Sequence, residues 1–273
     1  LRVLSLVFWT FLVLSSAALY PIAVLIWALT LFDPRRRLLH QFTCFWGSLY
    51  TWINPAWQVT VEGRHHIRRD VPYVMVANHQ SLLDILVLFR LFVHFKWVSK
   101  VENFRLPFVG WNMSMNRYIR LVRGSRQSVN QMMRECEDTL RAGSPIMIFP
   151  EGTRSRDGRL QAFKPGAFSL AQQARVPILP IVVLGTSQAL PKRGFVLRGR
   201  HTIQVRVLEE IPYAQFARKP VDEVARAVHD VIASAVGEPP TADAPVHEAV
   251  STPGEGPRLR TTATAVIRDV DIA

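Results

Sequence analysis

Val74-Met-Val-Ala-Asn-His-Gln-Ser-Leu-Leu-Asp84 opens as an apolar run and turns polar in its middle. The first four residues read as a buried strand. Asn78-His79-Gln80 interrupts it, and Leu82, Leu83, Ile85, Leu86, Leu88 and Phe89 then recur at helical spacing. A histidine therefore stands where a strand gives way to a helix, with Asp84 five residues on. Inside one helix that separation would put the two side chains about 140° apart. They meet only if His79 lies in the loop and Asp84 in the first helical turn. Ser81-Leu-Leu-Asp84 is also a capping box. On this stretch alone, Asp84 serves equally as a helix cap and His79 as a loop residue.

Outward from this stretch, strand patterns alternate with helical ones. Trp57–Val61 alternates like a strand, and Pro72–Ala77, Phe95–Ser99, Tyr118–Val122, Pro145–Phe149, Pro177–Leu184 and Thr202–Val207 read as further strands. Between them lie a short apolar helix over Pro107–Met115 and a helix capped by Ser125 or Ser128 that runs to about Leu140. Another opens at Lys164-Pro-Gly166, and an amphipathic one follows Pro220 through Ala235. The class is α/β, with a mixed, largely parallel central sheet flanked by helices.

Residues 1–32 are almost wholly apolar, Arg2 being the only charge. A membrane span of about 20 residues fits within them. Pro21 divides the run, so two short helices entering and leaving one leaflet are the alternative. Arg35-Arg36-Arg37 follows and reads as cytoplasmic. The aromatic-rich stretch Leu38–Ile53 reads as an interfacial helix. Beyond Gly237 the composition turns to Pro, Ala, Thr and Glu without apolar periodicity, as in disordered segments. Three regions are expected: membrane-anchoring helices over 1–53, an α/β domain over 54–236 and a disordered tail over 237–273.

The chain of 273 residues carries a net charge of +12. The last 37 residues hold six acidic and three basic side chains, so the remainder carries +15. Such a surplus suits an anionic partner: a phosphate-bearing substrate, an acidic lipid surface or nucleic acid. No recognised nucleic-acid motif accompanies it. The two cysteines, Cys44 and Cys136, are far apart and offer neither a disulfide framework nor metal-ligand spacing. His65-His66 lacks an acidic or cysteine partner nearby and reads as surface. The Gly-x-Ser-x-Gly elbow of serine hydrolases is absent.

A second motif, Phe149-Pro-Glu-Gly-Thr-Arg-Ser155, follows a buried strand. Gly152 permits close backbone approach, Thr153 and Ser155 offer hydroxyls, and Arg154 offers a planar fork suited to phosphate. The helix beginning near Gly166 adds backbone N–H groups. Together with His79 and Asp84 some 65 residues upstream, this block resembles the glycerolipid acyltransferase family, and within it the lysophosphatidic acid acyltransferases. Arg123, after a strand, and Val176-Pro-Ile-Leu-Pro180, an apolar strand bearing prolines, match two further family blocks. Val122 stands where the family commonly has an acidic residue before the arginine. The resemblance covers roughly residues 57–210.

The resemblance implies transfer of a fatty acyl group from a coenzyme A or acyl-carrier-protein thioester to a lysophospholipid hydroxyl. Lysophosphatidic acid is the first acceptor, with another lysophospholipid or glycerol-3-phosphate as alternatives. His79 would be the general base and Asp84 its orienting partner. Arg123, Glu151, Gly152, Thr153 and Arg154 would surround the acceptor phosphate, Glu151 orienting an arginine or the acceptor hydroxyl. Lys100, Lys164 and Pro180 are further substrate-binding candidates. The resemblance implies no metal and no redox cofactor. The expected partners are the thioester donor, acyl carrier protein included, the lysophospholipid and an anionic membrane surface, with the catalytic domain at the cytoplasmic face of the inner (plasma) membrane. The reading of another class is a non-enzymatic lipid-binding protein that kept the fold and lost the base, against which both His79 and Asp84 are present.

Overall fold

Strands and helices alternate along the chain of the computed structural model, which describes residues 2–192 and 195–237. In order, the elements are α1 (Arg2–Leu29), α2 (Arg37–Trp52), β1 (Trp57–Glu62), β2 (Val74–Ala77), α3 (Leu83–Leu88), β3 (Lys96–Lys100) and α4 (Val109–Met115). Then follow β4 (Ile119–Leu121), α5 (Arg126–Arg141), β5 (Ile146–Ile148), α6 (Gly166–Ala174), β6 (Ile178–Leu184), α7 (Thr186–Ala189), β7 (His201–Val207) and α8 (Val221–Val236). The expected tail, apart from Gly237, lies outside the described residues.

The strands form one sheet in the order β1-β7-β6-β2-β5-β3-β4. From β6 to β4 every neighbouring pair is parallel; β7 runs antiparallel to β6, and β1 runs parallel to β7. The sheet is thus mixed and largely parallel. Burial follows position. The central strands β2 and β5 are buried at every residue, whereas β1 and β7 alternate between buried and more open positions. Successive residues of a strand face opposite sides. Met75, Ala77, Met147, Leu179, Ile181 and Val183 therefore join one core, shared with α1, α2 and α3. Val74, Val76, Ile146, Ile148, Ile178 and Val182 join the other, with α5, α6 and α8. Helix α5 shows the sequence logic in small: Ser125 Oγ accepts from the Ser128 N–H, and Val129, Met132, Cys136 and Leu140 form its buried stripe. Of the two serines considered as its cap, Ser125 takes the role.

The N-terminal region takes one of two alternatives left open by the sequence and departs from one expectation. Helix α1 is continuous through Pro21, so the break into two short helices does not occur there. A proline inside a helix removes one backbone hydrogen bond, and here the chain turns only at residues 30–36. Helix α2 is a core helix more than an interfacial one. Leu39, Cys44, Trp46 and Tyr50 are buried in the same core as β2 and β6, although Leu38, Phe45, Trp52 and Ile53 remain exposed. Helices α1 and α2 thus share one core with the sheet.

The turn between the two helices is fastened to the body. Asp33 accepts from the backbone N–H of Arg35 and Arg37, Arg36 is buried and donates to the Thr30 carbonyl, and the Lys96 ammonium donates to the carbonyls of Arg35 and Asn116. Helix α1 also holds the chain beyond α7: the Leu197 N–H donates to Ser5 Oγ and the Trp9 indole to the Phe195 carbonyl. Its remaining surface is apolar and open, with Val3, Leu4, Leu6, Val7, Val13, Leu14, Leu25 and Leu29 exposed. By length and composition it suffices to cross a membrane.

Candidate active site

Three adjacent strands deliver the site at one edge of the sheet. β2, β5 and β6 are parallel neighbours, and each is followed by a residue of the site: His79 after β2, Glu151, bonded to the His79 backbone, after β5, and Thr186, bonded to Asp84, after β6. Ligands of open α/β sheets bind at this carboxyl edge.

Asn78 carries the ladder one step past the end of β2. Its side-chain amide donates to the Val183 carbonyl at 2.8 Å and accepts from the Val183 N–H at 2.7 Å, as a peptide group would. This fixes the start of the loop. The His79 N–H donates to Glu151 Oε1 at 2.6 Å, and the His79 carbonyl accepts from the Ser155 N–H at 2.8 Å. The imidazole lies flat on the Phe149 ring, with centroids 3.9 Å apart and planes 12° from parallel. Backbone and ring are thus held independently.

His79 Nδ1 and Asp84 Oδ2 are 2.7 Å apart, and both side chains are fully buried. The same Oδ2 accepts from the N–H groups of Gln80 at 2.6 Å and Ser81 at 2.8 Å. Ser81 Oγ accepts in turn from the Leu83 N–H. The capping box is formed, and its carboxylate is the histidine's partner. The two roles open to Asp84 in the sequence are both filled. The other oxygen, Oδ1, accepts from Thr186 Oγ1. With Nδ1–H donating to the carboxylate, Nε2 is left with its lone pair, buried and without a partner. An imidazole held in this way can accept a proton at Nε2.

Among the described residues no hydroxyl or thiol is hydrogen-bonded to the imidazole. Ser81 Oγ donates to the Leu190 carbonyl, away from the imidazole. Cys44 and Cys136 are buried thiols whose pKa burial pushes up, which suppresses the reactive thiolate.

The Phe149–Ser155 loop gathers the cations. The Gly152 N–H donates to the Phe149 carbonyl, and Gly152 turns the chain at φ 72°, a conformation suited to glycine. Arg123 reaches across from the end of β4 to the Gly152 carbonyl at 3.1 Å. Arg154 is half-buried and donates to the Lys192 carbonyl. Burial lowers its pKa while the Asp84 charge raises it, and a guanidinium stays protonated throughout. Lys192 donates to Thr153 Oγ1 at 3.2 Å and to the Arg154 carbonyl. Glu151 is buried, and beyond the His79 N–H it accepts from the Gln161 N–H at 3.2 Å. Its described contacts make it a brace for the His79 loop, a role not anticipated from its place beside Arg154.

The remaining candidates divide. Lys164 begins the approach to α6, its N–H on the Pro150 carbonyl, and Lys100 ends β3 at the same edge, beyond β5. Pro180 is buried inside β6 opposite Val76. It is a sheet residue and not part of the substrate-facing loops. Among the described residues no group of three His, Cys, Asp or Glu side chains is placed to hold a metal ion.

Thr186, Lys192 and the stacking role of Phe149 are not evident in the sequence. The signal for Thr186 is its position: Gly185-Thr186 ends a buried strand adjacent to the one bearing His79.

Comparison with known proteins agrees with this geometry. Residues 58–184 match the family model described as Acyltransferase. A 1-acyl-sn-glycerol-3-phosphate acyltransferase of Chlamydomonas reinhardtii is 37% identical over 232 residues, covering 84% of this chain and 67% of the relative. The chloroplastic 1-acyl-sn-glycerol-3-phosphate acyltransferase LPAT1 of Arabidopsis thaliana is 41% identical over 163 residues, 59% of this chain and 45% of the relative. The crystal structure of the 1-acyl-sn-glycerophosphate (LPA) acyltransferase PlsC from Thermotoga maritima shares the fold, with a TM-score of 0.69 at 24% identity, covering 86% of this chain and 94% of that one. The chain belongs to the acyltransferase family. It spans two thirds of the algal relative and less than half of the Arabidopsis one.

Proposed function

We propose that this protein transfers a fatty acyl group from an acyl-CoA or acyl-ACP thioester to the free hydroxyl of lysophosphatidic acid, giving phosphatidic acid for phospholipid synthesis. The observation that carries the reaction type is the buried imidazole, its Nδ1 on Asp84 and its Nε2 unpartnered. An alcohol needs a base near neutral pH, and His79 Nε2 takes its proton as the oxygen attacks the thioester carbonyl. Asp84 stabilises the imidazolium that forms. The tetrahedral adduct collapses by breaking the C–S bond, and the thiolate leaves with the proton from Nε2. An ester and a thiol result, and the imidazole is neutral again. The identity of the acceptor rests on the names of the relatives and on the cations Arg123 and Arg154 beside the site. The test is a panel of acceptors, lysophosphatidic acid, other lysophospholipids and glycerol-3-phosphate, offered with one labelled acyl thioester and read by lipid product. Preference for an acceptor without a phosphate monoester would overturn the assignment.

Arg154 serves the acceptor phosphate in this reading. Arg154→Ala is expected to raise the acceptor KM by about tenfold or more while leaving the thioester KM nearly unchanged, since a charge-assisted bond is lost on one substrate only. Arg154→Lys restores part of the loss, because a point charge lacks the planar fork. A rise confined to the thioester KM would move Arg154 to the donor site.

The protein acts at a membrane in this reading, with its basic surface on the cytoplasmic face of the inner (plasma) membrane. The open apolar flank of α1 and the +15 charge ahead of the tail support it, each cation near an anionic surface adding about 1 kcal/mol. Replacing Leu4, Leu6, Val13 and Leu14, all exposed on α1, by serine is expected to shift the protein from the membrane to the soluble fraction. These residues lie outside the core, so folding persists. Unchanged membrane partition of that variant would overturn the anchor assignment.

A further inference from the structure

We propose that Thr186 is a positioning residue of this active site, acting on His79 through Asp84. The proposal rests on His79 being the base. The Asp84 carboxylate is fully buried, so each oxygen needs donors from the protein. Oδ2 has three: His79 Nδ1, Gln80 N–H and Ser81 N–H. Oδ1 accepts from Thr186 Oγ1. The first three donors come from the His79 loop and the start of α3. Thr186 comes from the far side, beyond β6, and so fixes the rotation of the carboxylate about its own axis. Without it Oδ1 loses that donor, the carboxylate is held from one side only, and the Nδ1 bond loses part of its fixed geometry.

The backbone places Thr186 firmly. Gly185 turns the chain at φ 84°, and a Cβ there would lie 2.2 Å from the Thr202 carbonyl oxygen. Thr186 is itself fully buried, and its N-terminal place in α7 is set by that turn. Four residues on, the same connection tightens round the site again. The Leu190 carbonyl accepts from Ser81 Oγ, and Lys192 holds Thr153 and Arg154. The β6–β7 connection thus fastens both the carboxylate and the cation loop.

A second consequence is electrostatic. The hydroxyl draws negative charge toward Oδ1 and away from the imidazole. Its removal leaves the carboxylate a stronger partner for the imidazolium, and the ascending limb of kcat/KM moves to higher pH. The charged groups facing this pair are Glu151, on the His79 N–H from the β5 side, and Arg154, whose charge acts on Asp84. Both are kept in the test.

Thr186→Val preserves shape and removes the donor. It is expected to lower kcat about tenfold, the scale of one hydrogen bond to a charged group, to leave both KM values within about twofold, and to shift the ascending limb upward. Thr186→Ser restores rate and profile. A Thr186→Val enzyme with the wild-type pH profile, or a Thr186→Ser enzyme as impaired as Thr186→Val, overturns the proposal. If Thr186→Val does not fold, Thr186→Ala is read in the same way. Failure of both to fold, with Thr186→Ser folded and its profile unmoved, marks a purely structural residue and also overturns it. His79→Ala is measured alongside. Activity surviving in that variant removes the base and the inference together, whereas an inactive His79→Ala beside an unperturbed Thr186→Val removes the inference alone.

Discussion

His79→Ala is expected to abolish measurable acyl transfer, a loss of about 10²–10⁴-fold or more, because a positioned base contributes on that scale. The fold should survive. The described hydrogen bonds of the His79 backbone, to Glu151 and from Ser155, do not involve the imidazole, and the loop is pinned by Asn78 before it. What goes is the ring on Phe149 and one donor to Asp84. The measurement is initial rate against lysophosphatidic acid, with far-ultraviolet circular dichroism confirming the folded state. The same enzyme preparation decides between direct attack and an acyl-enzyme. Ser81 is turned to Leu190 and both thiols are buried, so wild-type protein incubated with acyl thioester and no acceptor should keep its unmodified mass. A stoichiometric adduct that lysophosphatidic acid discharges would refute direct transfer, and full activity in His79→Ala would refute the base.

Asp84→Asn is expected to fall nearly as far, by about 10⁴-fold on the precedent of a histidine stripped of its carboxylate partner. The substitution is shaped to separate charge from capping. An amide oxygen at the Oδ2 position can still accept from His79, Gln80 and Ser81, and the amide N–H₂ can donate to Thr186 Oγ1. Structure is therefore kept while the negative charge is lost, and the imidazolium loses its stabilisation. The ascending limb of the residual kcat/KM moves to lower pH, opposite to Thr186→Val. Asp84→Ala, by contrast, loses the cap as well, at about 1 kcal/mol, and should melt earlier than Asp84→Asn. Equal activity in Asp84→Asn and the wild type would show that orientation alone matters at this carboxylate.

The sequence speaks most clearly where one physical cause dominates. Val74–Ala77 and Ile146–Ile148 are apolar at every position because both faces of a central strand are covered, and both strands stand where they were expected. His79 and Asp84 were legible only together with Phe149–Ser155, since alone a strand end and a capping box serve equally for a loop histidine and a helix cap. Helix α2 was not. Its aromatic residues suit a membrane interface and a protein core equally, and only the tertiary structure shows that Trp46 and Tyr50 face β-sheet and α1. Pro21 left one helix and two short ones both open, and the helix runs through it because the loss of one hydrogen bond is small against the many that remain in a helix of 28 residues. Thr186 and Lys192 stayed hidden because their partners lie 102 and 38 residues away. No local period reports an adjacency made by strand order. Glu151 was visible as a site residue, yet its bond to the His79 backbone depends on β5 lying beside β2.

One oxygen atom, Asp84 Oδ2, terminates a helix and orients an imidazole at once. This gives the two residues of the pair unequal histories under mutation. A descendant relieved of its chemistry can lose His79 at little cost to folding, since its backbone bonds persist with any side chain. It cannot as cheaply lose Asp84, which still has a helix to begin. Decay of the activity should therefore leave a signature: lineages that retain the aspartate after the histidine has drifted, and few that do the reverse. A sequence of this shape bearing Asp at the sixth position and no histidine at the first is then a former enzyme, recognisable by the half of its site that the scaffold would not release.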